Sequence, residues 1–440
     1  MKEGNLAPPT RHPLAWQNEE FYDEDKCLDE LERVFDLCHG CRRCVSLCNS
    51  FPTLFDLVDE STTFEVDGVD KQDYWKVVDE CYMCDLCYMT KCPYTPPHEW
   101  NIDFPHIMLR AKAIKYSKGE AKLRDKVITS TDTIGKLASI PIIVNAVNAV
   151  NNNGLMRKGL EKAVGISAEA HLPAYTSKKL RNTKIDNSGA QAVAAGETTG
   201  KVAIFATCYG NYNEPELGHD LIAVLQHNGV EVVLVDKEQC CGMPKFELGN
   251  LEAVAKAKEA NIPELHKWVE KGYDIMAPVP SCTLMFRQEL PLMYPDDEQV
   301  QQVKQAIYDP FEYLMLRHKA GALKTDFSNP LGNVLLHSAC HQRVQNIGPK
   351  TKEVLELVPD TTVKTADRCS GHDGTYAVKK ESRAASVKIC RPVANKVKAG
   401  EVDRYGSDCA IAGHHIEDVL GDSSIPMAHP ISMLRQAYDI

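Results

Sequence analysis

The sequence predicts an α+β multidomain chain: a helical N-terminal domain, a helical connector, then two α/β units that duplicate one another. Three observations carry this. Eight of the 17 cysteines fall in two short runs between Cys38 and Cys92, in a region whose apolar residues follow a helical period. From Lys201 onward, short apolar runs alternate with helical stretches, the pattern of layered α/β structure. These runs end at cysteines whose intervals recur. Cys208 to Cys240 spans 32 residues against 29 from Cys340 to Cys369, and Cys241 to Cys282 spans 41 against 40 from Cys369 to Cys409. A length of 440 residues, with 43% hydrophobic and 25% charged, fits several folded domains and excludes a disordered or fibrous chain.

Residues 1–26 form an N-terminal arm with Pro8, Pro9 and Pro13, and without the apolar core or cleavage site of an export signal. Residues 27–108 form the cysteine-bearing domain. Its first helix starts near Asp25 and puts Leu28, Leu31, Val34 and Phe35 on one face, with Cys27 as a structural residue. A later helix takes Ile107, Leu109, Ile114 and Leu123 as its apolar positions. Residues 109–200 are connector and linker. Within them Arg110–Lys126 carries a local charge of +5, which suits either anionic lipid or an acidic partner, or else a plain solvated helix face. The next helix has Ser139 as N-cap and Pro141 in its first turn. Its stripe of Ile140, Val144, Val147 and Asn151 is imperfect, which leaves a packing role and a shallow membrane contact both open. Thr176–Gly200 is the linker.

Residues 201–326 are the first α/β unit, with strands at Lys201–Thr207, Val230–Val235 and Tyr273–Val279 and helices at Glu216–His227 and Leu251–Lys271. Residues 327–440 are the second. Its strands are Asn333–His337, a stretch around Val363, and Val402–Gly406; its helices are Lys350–Leu357 and Lys379–Lys398, the latter holding Cys390 as a structural residue. No run approaches the roughly 18 apolar residues of a membrane-crossing helix. An odd, clustered set of cysteines points to metal ligation in a reducing compartment. The expectation is a cytoplasmic protein, at most peripheral on the inner face of the cell membrane.

The cysteine runs carry the chemistry. The first is Cys38-x2-Cys41-x2-Cys44-x3-Cys48; the second is Cys81-x2-Cys84-x2-Cys87-x4-Cys92-Pro93. Three cysteines at x2 spacing wrap one corner of a cubane, and the fourth of each run reaches the other cluster. Cys38, Cys41, Cys44 and Cys92 then hold one [4Fe-4S] cluster, and Cys81, Cys84, Cys87 and Cys48 the other. Structural zinc is the rival, since four thiolates also suit zinc, but zinc ribbons use paired C-x2-C arms. Asn49 stands where a proline usually follows Cys48, and x4 replaces the usual x3 in the second run. With helical patterns on both flanks, the module is expected to be helical and ferredoxin-like rather than the small β-containing type.

In the first α/β unit Cys208, Cys240, Cys241 and Cys282 form a candidate cofactor site, with Cys240 and Cys241 as candidate catalytic thiols. Adjacent cysteines clamp one zinc poorly, but they can serve two irons of one cluster, and Gly242 frees the backbone to approach it. Buried, inert cysteines are the rival reading. The second unit offers Cys340, Cys369 and Cys409, with Ser370 where the second cysteine of the pair would stand. His341, His372, His414 and His415 lie nearby as candidate replacement ligands. No G-x-G-x-x-G motif opens a strand–helix unit, so no bound NAD or flavin is expected. The net charge of −11 argues against nucleic acid as a partner.

Cys240-Cys241-Gly242-Met243-Pro244 and Cys369-Ser370-Gly371 resemble paired CCG (cysteine-rich) domains, as found in the B subunit of heterodisulfide reductase. The order of two ferredoxin runs and two CCG units is most similar to the C subunit of anaerobic glycerol-3-phosphate dehydrogenase. The iron–sulfur subunit of glycolate oxidase is a nearby relative. The resemblance covers about Lys26–Ala437. It implies an oxidoreductase subunit with two [4Fe-4S] clusters and a further iron–sulfur site in the CCG half. Such a subunit takes electrons from a flavoprotein dehydrogenase and passes them toward quinone or another acceptor. Heterodisulfide reductase instead cleaves a disulfide with five cysteines per complete motif. Each unit here has fewer, and Val279 stands where the last C-x2-C pair would begin. A third reading is a non-catalytic redox sensor or scaffold with an exposed thiolate among Cys340, Cys369 and Cys409.

Overall fold

The structure, a computed structural model, describes residues 9–421 and 423–440. The start of the expected N-terminal arm, residues 1–8, lies outside the described residues. The N-terminal part carries no strand among the described residues. Its helices are α1 (Glu24–Cys41), α2 (Ser50–Asp59), α3 (Tyr74–Asp79) and α4 (Phe104–Ser117), which runs through position 108 without a break. The Asp23 side chain caps α1 by accepting from the Lys26 amide at 3.1 Å. Leu28, Leu31, Val34 and Phe35 are buried, as the helical period requires, and Phe35 packs edge-on against Tyr74. Each such side chain removed from water contributes about 1.5–3 kcal/mol.

The connector is four short helices: α5 (Leu123–Ile128), α6 (Thr131–Ala138), α7 (Pro141–Asn152) and α8 (Gly154–Val164). Three expectations change here. Leu123 is 77% exposed rather than a core position, because α4 ends at Ser117 and α5 faces differently. Ser139 is not an N-cap: it closes α6, and Ile140 precedes Pro141 at the start of α7 without a side-chain cap. The basic segment is not an unpartnered charge run: its charges pair within the chain, while Lys118 and Lys122 stay exposed. Arg110 donates to the carbonyls of Glu20 and Phe21, Lys112 to that of Cys81, and Lys115 pairs with Asp79. Lys118 pairs with Glu24, Lys122 and Arg124 with Glu381, and Lys126 lies over the Tyr116 ring. No single helix among the described residues is long and apolar enough to cross a membrane. Helices α6 and α7 together have that composition, but they meet at 108°.

The first α/β part runs β1 (Lys201–Ile204), α9 (Cys208–Tyr212), α10 (Pro215–His227), β2 (Glu231–Leu234), α11 (Met243–Glu247), α12 (Leu251–Glu270) and β3 (Asp274–Met276). It closes with α13 (Pro280–Leu284), α14 (Leu290–Met293), α15 (Glu298–Ala306), β4 (Ile307–Tyr308) and α16 (Pro310–Lys319). The second runs β5 (Gly332–His337), α17 (Cys340–Arg343), α18 (Lys350–Leu355), β6 (Thr361–Ala366), α19 (Arg383–Ala399), β7 (Arg404–Ser407), α20 (Ala410–Leu420) and α21 (Pro430–Tyr438). All pairings between named strands are parallel, in the orders β2-β1-β3-β4 and β6-β5-β7. In both sheets the first strand lies between the second and the third, and β4 extends the first sheet beyond β3.

Period-two alternation decides what each sheet face meets. In β1, Ala203 and the following Phe205 join the core of the N-terminal helices, whereas Val202 and Ile204 face the opposite way. That second core also takes Val334 and Leu336 of β5, with Leu221, Leu314, Val354 and Leu434 from the helices between the sheets. The two sheets therefore share one helical layer. The arm is locked in as well. Arg11 is buried against Asp85, Asp103 and Glu289, with Asp103 at 2.9 Å and Glu289 at 3.4 Å. His106 joins the knot at 3.0 Å from Asp103 and 3.3 Å from Glu289. Burial and Arg11 press its pKa down, but the two carboxylates outweigh them and raise it to about 9. Arg11→Ala strands these carboxylates in a buried site, so it should cost roughly 3–5 kcal/mol, read as a lower denaturant midpoint; an unchanged midpoint would show that the knot contributes nothing.

Candidate functional site

Parallel strands send the loops that follow them to one edge of the sheet, where α/β proteins build their sites. Six loops here converge from two sheets. Cys208 follows β1, Cys240 and Cys241 follow β2, and Cys282 follows β3. Cys340 follows β5, Cys369 follows β6 and Cys409 follows β7. All seven line a single cavity, together with Cys84 of the N-terminal domain. The two cysteine sets that the sequence assigns to separate units thus face the same space.

The backbone around these cysteines is held in conformations that side chains rarely adopt. Thr207, just before Cys208, has φ +64° and ψ 160°, and its hydroxyl accepts from the Gly210 amide at 3.0 Å. Gly242, after the adjacent cysteines, has φ +100°, as the expected backbone freedom requires. Gly371 occupies the matching place after Cys369-Ser370, with φ +71°, and a Cβ there would strike the Ser386 carbonyl oxygen. Its amide donates to the Cys369 sulfur at 3.2 Å. Met83 (φ +54°) and Asp85 (φ +59°) flank Cys84 in the same way.

The thiols act on one another. Cys208 and Cys241 donate to Cys240, which holds its pKa well below the ordinary thiol value and pushes theirs well above it. Cys340 likewise donates to Cys369, lowering that thiol, and also bonds Cys84. Each half of the cavity thus favours one thiolate even before any cofactor charge is present.

Of the N-terminal cysteines, one expected set comes together around a cavity, and Cys48 lies with Cys81 and Cys84. Cys38, Cys41, Cys44 and Cys92 line a small cavity under Phe51 and Phe55. Burial raises Cys38 first, and the charges of Cys92, Cys44 and Cys41 add to it. Burial likewise raises Cys48, with Cys81 and Cys84 next. Cys87 feels Cys84, Cys44, Cys81 and Cys48, so it stands between the two sets. The extra residue of the second run is taken up by a π-helical turn at Cys87–Lys91, in which the Cys92 amide donates to the Cys87 carbonyl at 2.8 Å. Cys27 and Cys390 are fully buried core residues and line neither cavity.

The thiols ring cavities, and among the described residues no three Cys, His, Asp or Glu side chains are gathered closely enough for one bare metal ion. A cavity of about 140 Å³ walled by sulfur suits a polynuclear cluster of iron and sulfide, as does the repeated four-thiol donor set. Of the candidate histidines, His341 and His372 line the cysteine cavity. His341 Nδ1 is bonded to Ser281 at 2.7 Å. His414 and His415 do not reach it: His414 bonds Glu214 and Glu417, and His415 bonds Ser386.

Several site residues were not expected from the sequence. Asp132 of α6 accepts from the Cys240 amide, and the Thr131 hydroxyl faces Cys208 and Cys240. Asn261 of α12 accepts from the Gln239 amide at 2.8 Å and donates to the Cys240 carbonyl at 3.1 Å. Glu238 accepts from the Ala206 amide at 2.7 Å and from Arg181 of the linker at 2.8 Å. Asn261 alone left a signal, as a polar residue on the apolar stripe of a long helix.

Residues 202–287 match the family model described as CCG, cysteine-rich domain. The C subunit of anaerobic glycerol-3-phosphate dehydrogenase from Escherichia coli strain K12 is 30% identical over 344 residues, covering 77% of this chain and 82% of that protein. Lactate utilization protein A of Bacillus cytotoxicus is 28% identical over 215 residues, 48% of this chain and 87% of its own length. The same protein of Bacillus pumilus is 30% identical over 188 residues, 41% of this chain and 75% of its own. With 344 residues aligned to the first of these relatives, the chain belongs to the family of the anaerobic glycerol-3-phosphate dehydrogenase C subunit.

Proposed function

We propose that this chain is the iron–sulfur electron-transfer subunit of a flavin-linked dehydrogenase. The observation that carries the reading is an unbroken line of cysteines. Cys44 of the first set approaches Cys87 of the second, Cys84 of the second bonds Cys340, and Cys340 opens onto the cavity shared by both α/β units. In this reading Cys38, Cys41, Cys44 and Cys92 hold one [4Fe-4S] cluster; Cys81, Cys84, Cys87 and Cys48 hold the second. Cys208, Cys240, Cys241 and Cys282, facing Cys340, Cys369 and Cys409, hold a further iron–sulfur centre. Such clusters supply one-electron storage at potentials tuned by burial and hydrogen bonding. The protein's part is to keep the sulfurs in order, dry and braced: the Gly371 amide, Asp132 and Asn261 fix the loops that present them.

The two α/β units are read as duplicates. Each has its first strand between its second and third in a parallel sheet, and each carries a positive-φ glycine at the third position of its cysteine motif. The electron donor is a flavoprotein dehydrogenase partner, as the relative's name suggests for an assembly acting on glycerol 3-phosphate. The reading keeps the chain in the cytoplasm, against the inner face of the membrane, where the exposed Leu137, Ile142 and Leu155 of the connector meet lipid.

Iron and acid-labile sulfide counted on protein purified without oxygen test this. The two N-terminal clusters account for about eight irons; the reading predicts clearly more, with an extra paramagnetic signal lost in Cys240→Ser. A count of eight with no such signal would reduce the α/β half to a docking module. Gly371→Ala, which forces a side chain into the left-handed region and onto Ser386, should remove the same signal while sparing the N-terminal ones; full retention would show that this turn does not shape the centre.

A further inference from the structure

His341 occupies a place that the line of cysteines does not use. It is the second residue of α17, directly after Cys340, and its ring meets two other parts of the chain. Nδ1 lies 2.7 Å from the Ser281 hydroxyl, and Nε2 lies 3.3 Å from the Met83 carbonyl oxygen. Ser281 stands in α13 immediately before Cys282, and α13 packs on α17. Met83 belongs to the N-terminal domain and immediately precedes Cys84. One imidazole therefore touches the segments that present Cys84, Cys282 and Cys340, one from the N-terminal domain and one from each α/β unit.

The partners fix what the ring can do. A carbonyl oxygen only accepts, so the Nε2 proton is donated to Met83, and in the neutral ring Nδ1 accepts from the Ser281 hydroxyl. With both nitrogens engaged, neither is left to ligate iron. The Met83 bond falls on the peptide unit that joins Met83 to Cys84. Both neighbours of Cys84 hold positive φ, Met83 at +54° and Asp85 at +59°. Such backbone persists only where its surroundings over-determine it. Cys340 bonds Cys84 itself, and the adjacent His341 bonds the peptide that precedes it.

We infer that His341 is a positioning residue: it ligates neither centre, and through Met83 and Ser281 it holds the cluster at Cys84 in register with the iron–sulfur centre of the shared cavity. The inference rests on the electron-relay reading for what passes between the two centres, and deepens it by naming the group that sets their approach. Outer partners of this kind orient the ligands they touch and tune the metal.

The test is electron paramagnetic resonance of the reduced, anaerobically purified full chain. In His341→Phe, which fills the ring's space but offers no hydrogen bond, iron content stays at the parent value, the signal of the Cys84 cluster changes shape, and its splitting by the cavity centre is lost. His341→Gln, with a donor and an acceptor on one amide, restores both. Ser281→Ala, which cuts only the link to the first unit, weakens the splitting and leaves the shape of the Cys84 signal as in the parent. Labelling the histidines with nitrogen-15 reveals only weak nitrogen couplings. A signal and splitting unchanged in His341→Phe overturn the inference, as does a loss that His341→Gln does not restore. If His341→Phe fails to fold, Ser281→Ala decides, and parent-like splitting there overturns the inference. A strong nitrogen coupling that vanishes in His341→Gln makes His341 a ligand and overturns it too. If the iron count stays at about eight, the relay through the α/β half falls, and the Cys84 signal alone decides: a change in His341→Phe that His341→Gln reverses keeps His341 as the brace of that loop, and no change overturns it.

Discussion

Everything in this molecule depends on one geometric consequence of parallel pairing. Because β1 to β3 and β5 to β7 all run the same way within their sheets, the loops carrying their cysteines emerge at one edge of each sheet. The shared helical layer of α10, α16, α18 and α21 holds the two sheets so that those edges face one cavity. Cys84 completes the wall from the N-terminal domain, whose core is continuous with the first sheet through Ala203 and Phe205. Cores decide the arrangement, and the sulfurs are carried into place by it.

The cost of that arrangement is concentrated at the site. Thr207, Met83 and Asp85 hold positive φ immediately beside the cysteines they present, while Gly242 and Gly371 make the corresponding turns as glycines. Strain of this kind persists only where the surroundings over-determine it. Here the surroundings include Asn261 on the Cys240 turn, Ser386 on Gly371, and the buried knot of Arg11 with Asp85, Asp103, Glu289 and His106. The basic segment Arg110–Lys126 belongs to the same bracing: its ion pairs tie the N-terminal helices and the connector to Glu381 of the second unit. Charges that look unpartnered in one dimension pair across elements in three, Lys118 and Lys122 from an exposed surface.

How far the sequence reaches follows from what each signal depends on. The strands observed from Lys201, Glu231 and Asp274, expected from Lys201, Val230 and Tyr273, and the helix face of Leu28, Leu31, Val34 and Phe35 were legible because burial periodicity is local. The closeness of Cys38, Cys41 and Cys44 was legible because x2 spacing is a local geometry, whereas Cys92 reaches them across 48 residues and was expected there only from the two-cluster rule. The meeting of Cys208 and Cys369 in one cavity was not, since it depends on how two sheets pack 161 positions apart in the chain. Asp132 escaped notice because an acidic residue in the first turn of α6 looks like an ordinary helix-dipole partner, and only the fold brings it to the Cys240 amide. Ser139 misled for a related reason: a serine two residues before a proline suits the end of one helix as well as the start of the next.

The central claim is that the cysteine line is continuous from the N-terminal clusters into the shared cavity, with Cys84 and Cys340 at the crossing. Electron paramagnetic resonance of the fully reduced, anaerobically purified chain tests it most directly. The account predicts spin–spin splitting between the cluster at Cys84 and the centre in the cavity, and loss of that splitting in Cys340→Ser while the N-terminal signals persist. Independent, unsplit signals with the cavity centre fully loaded would contradict it.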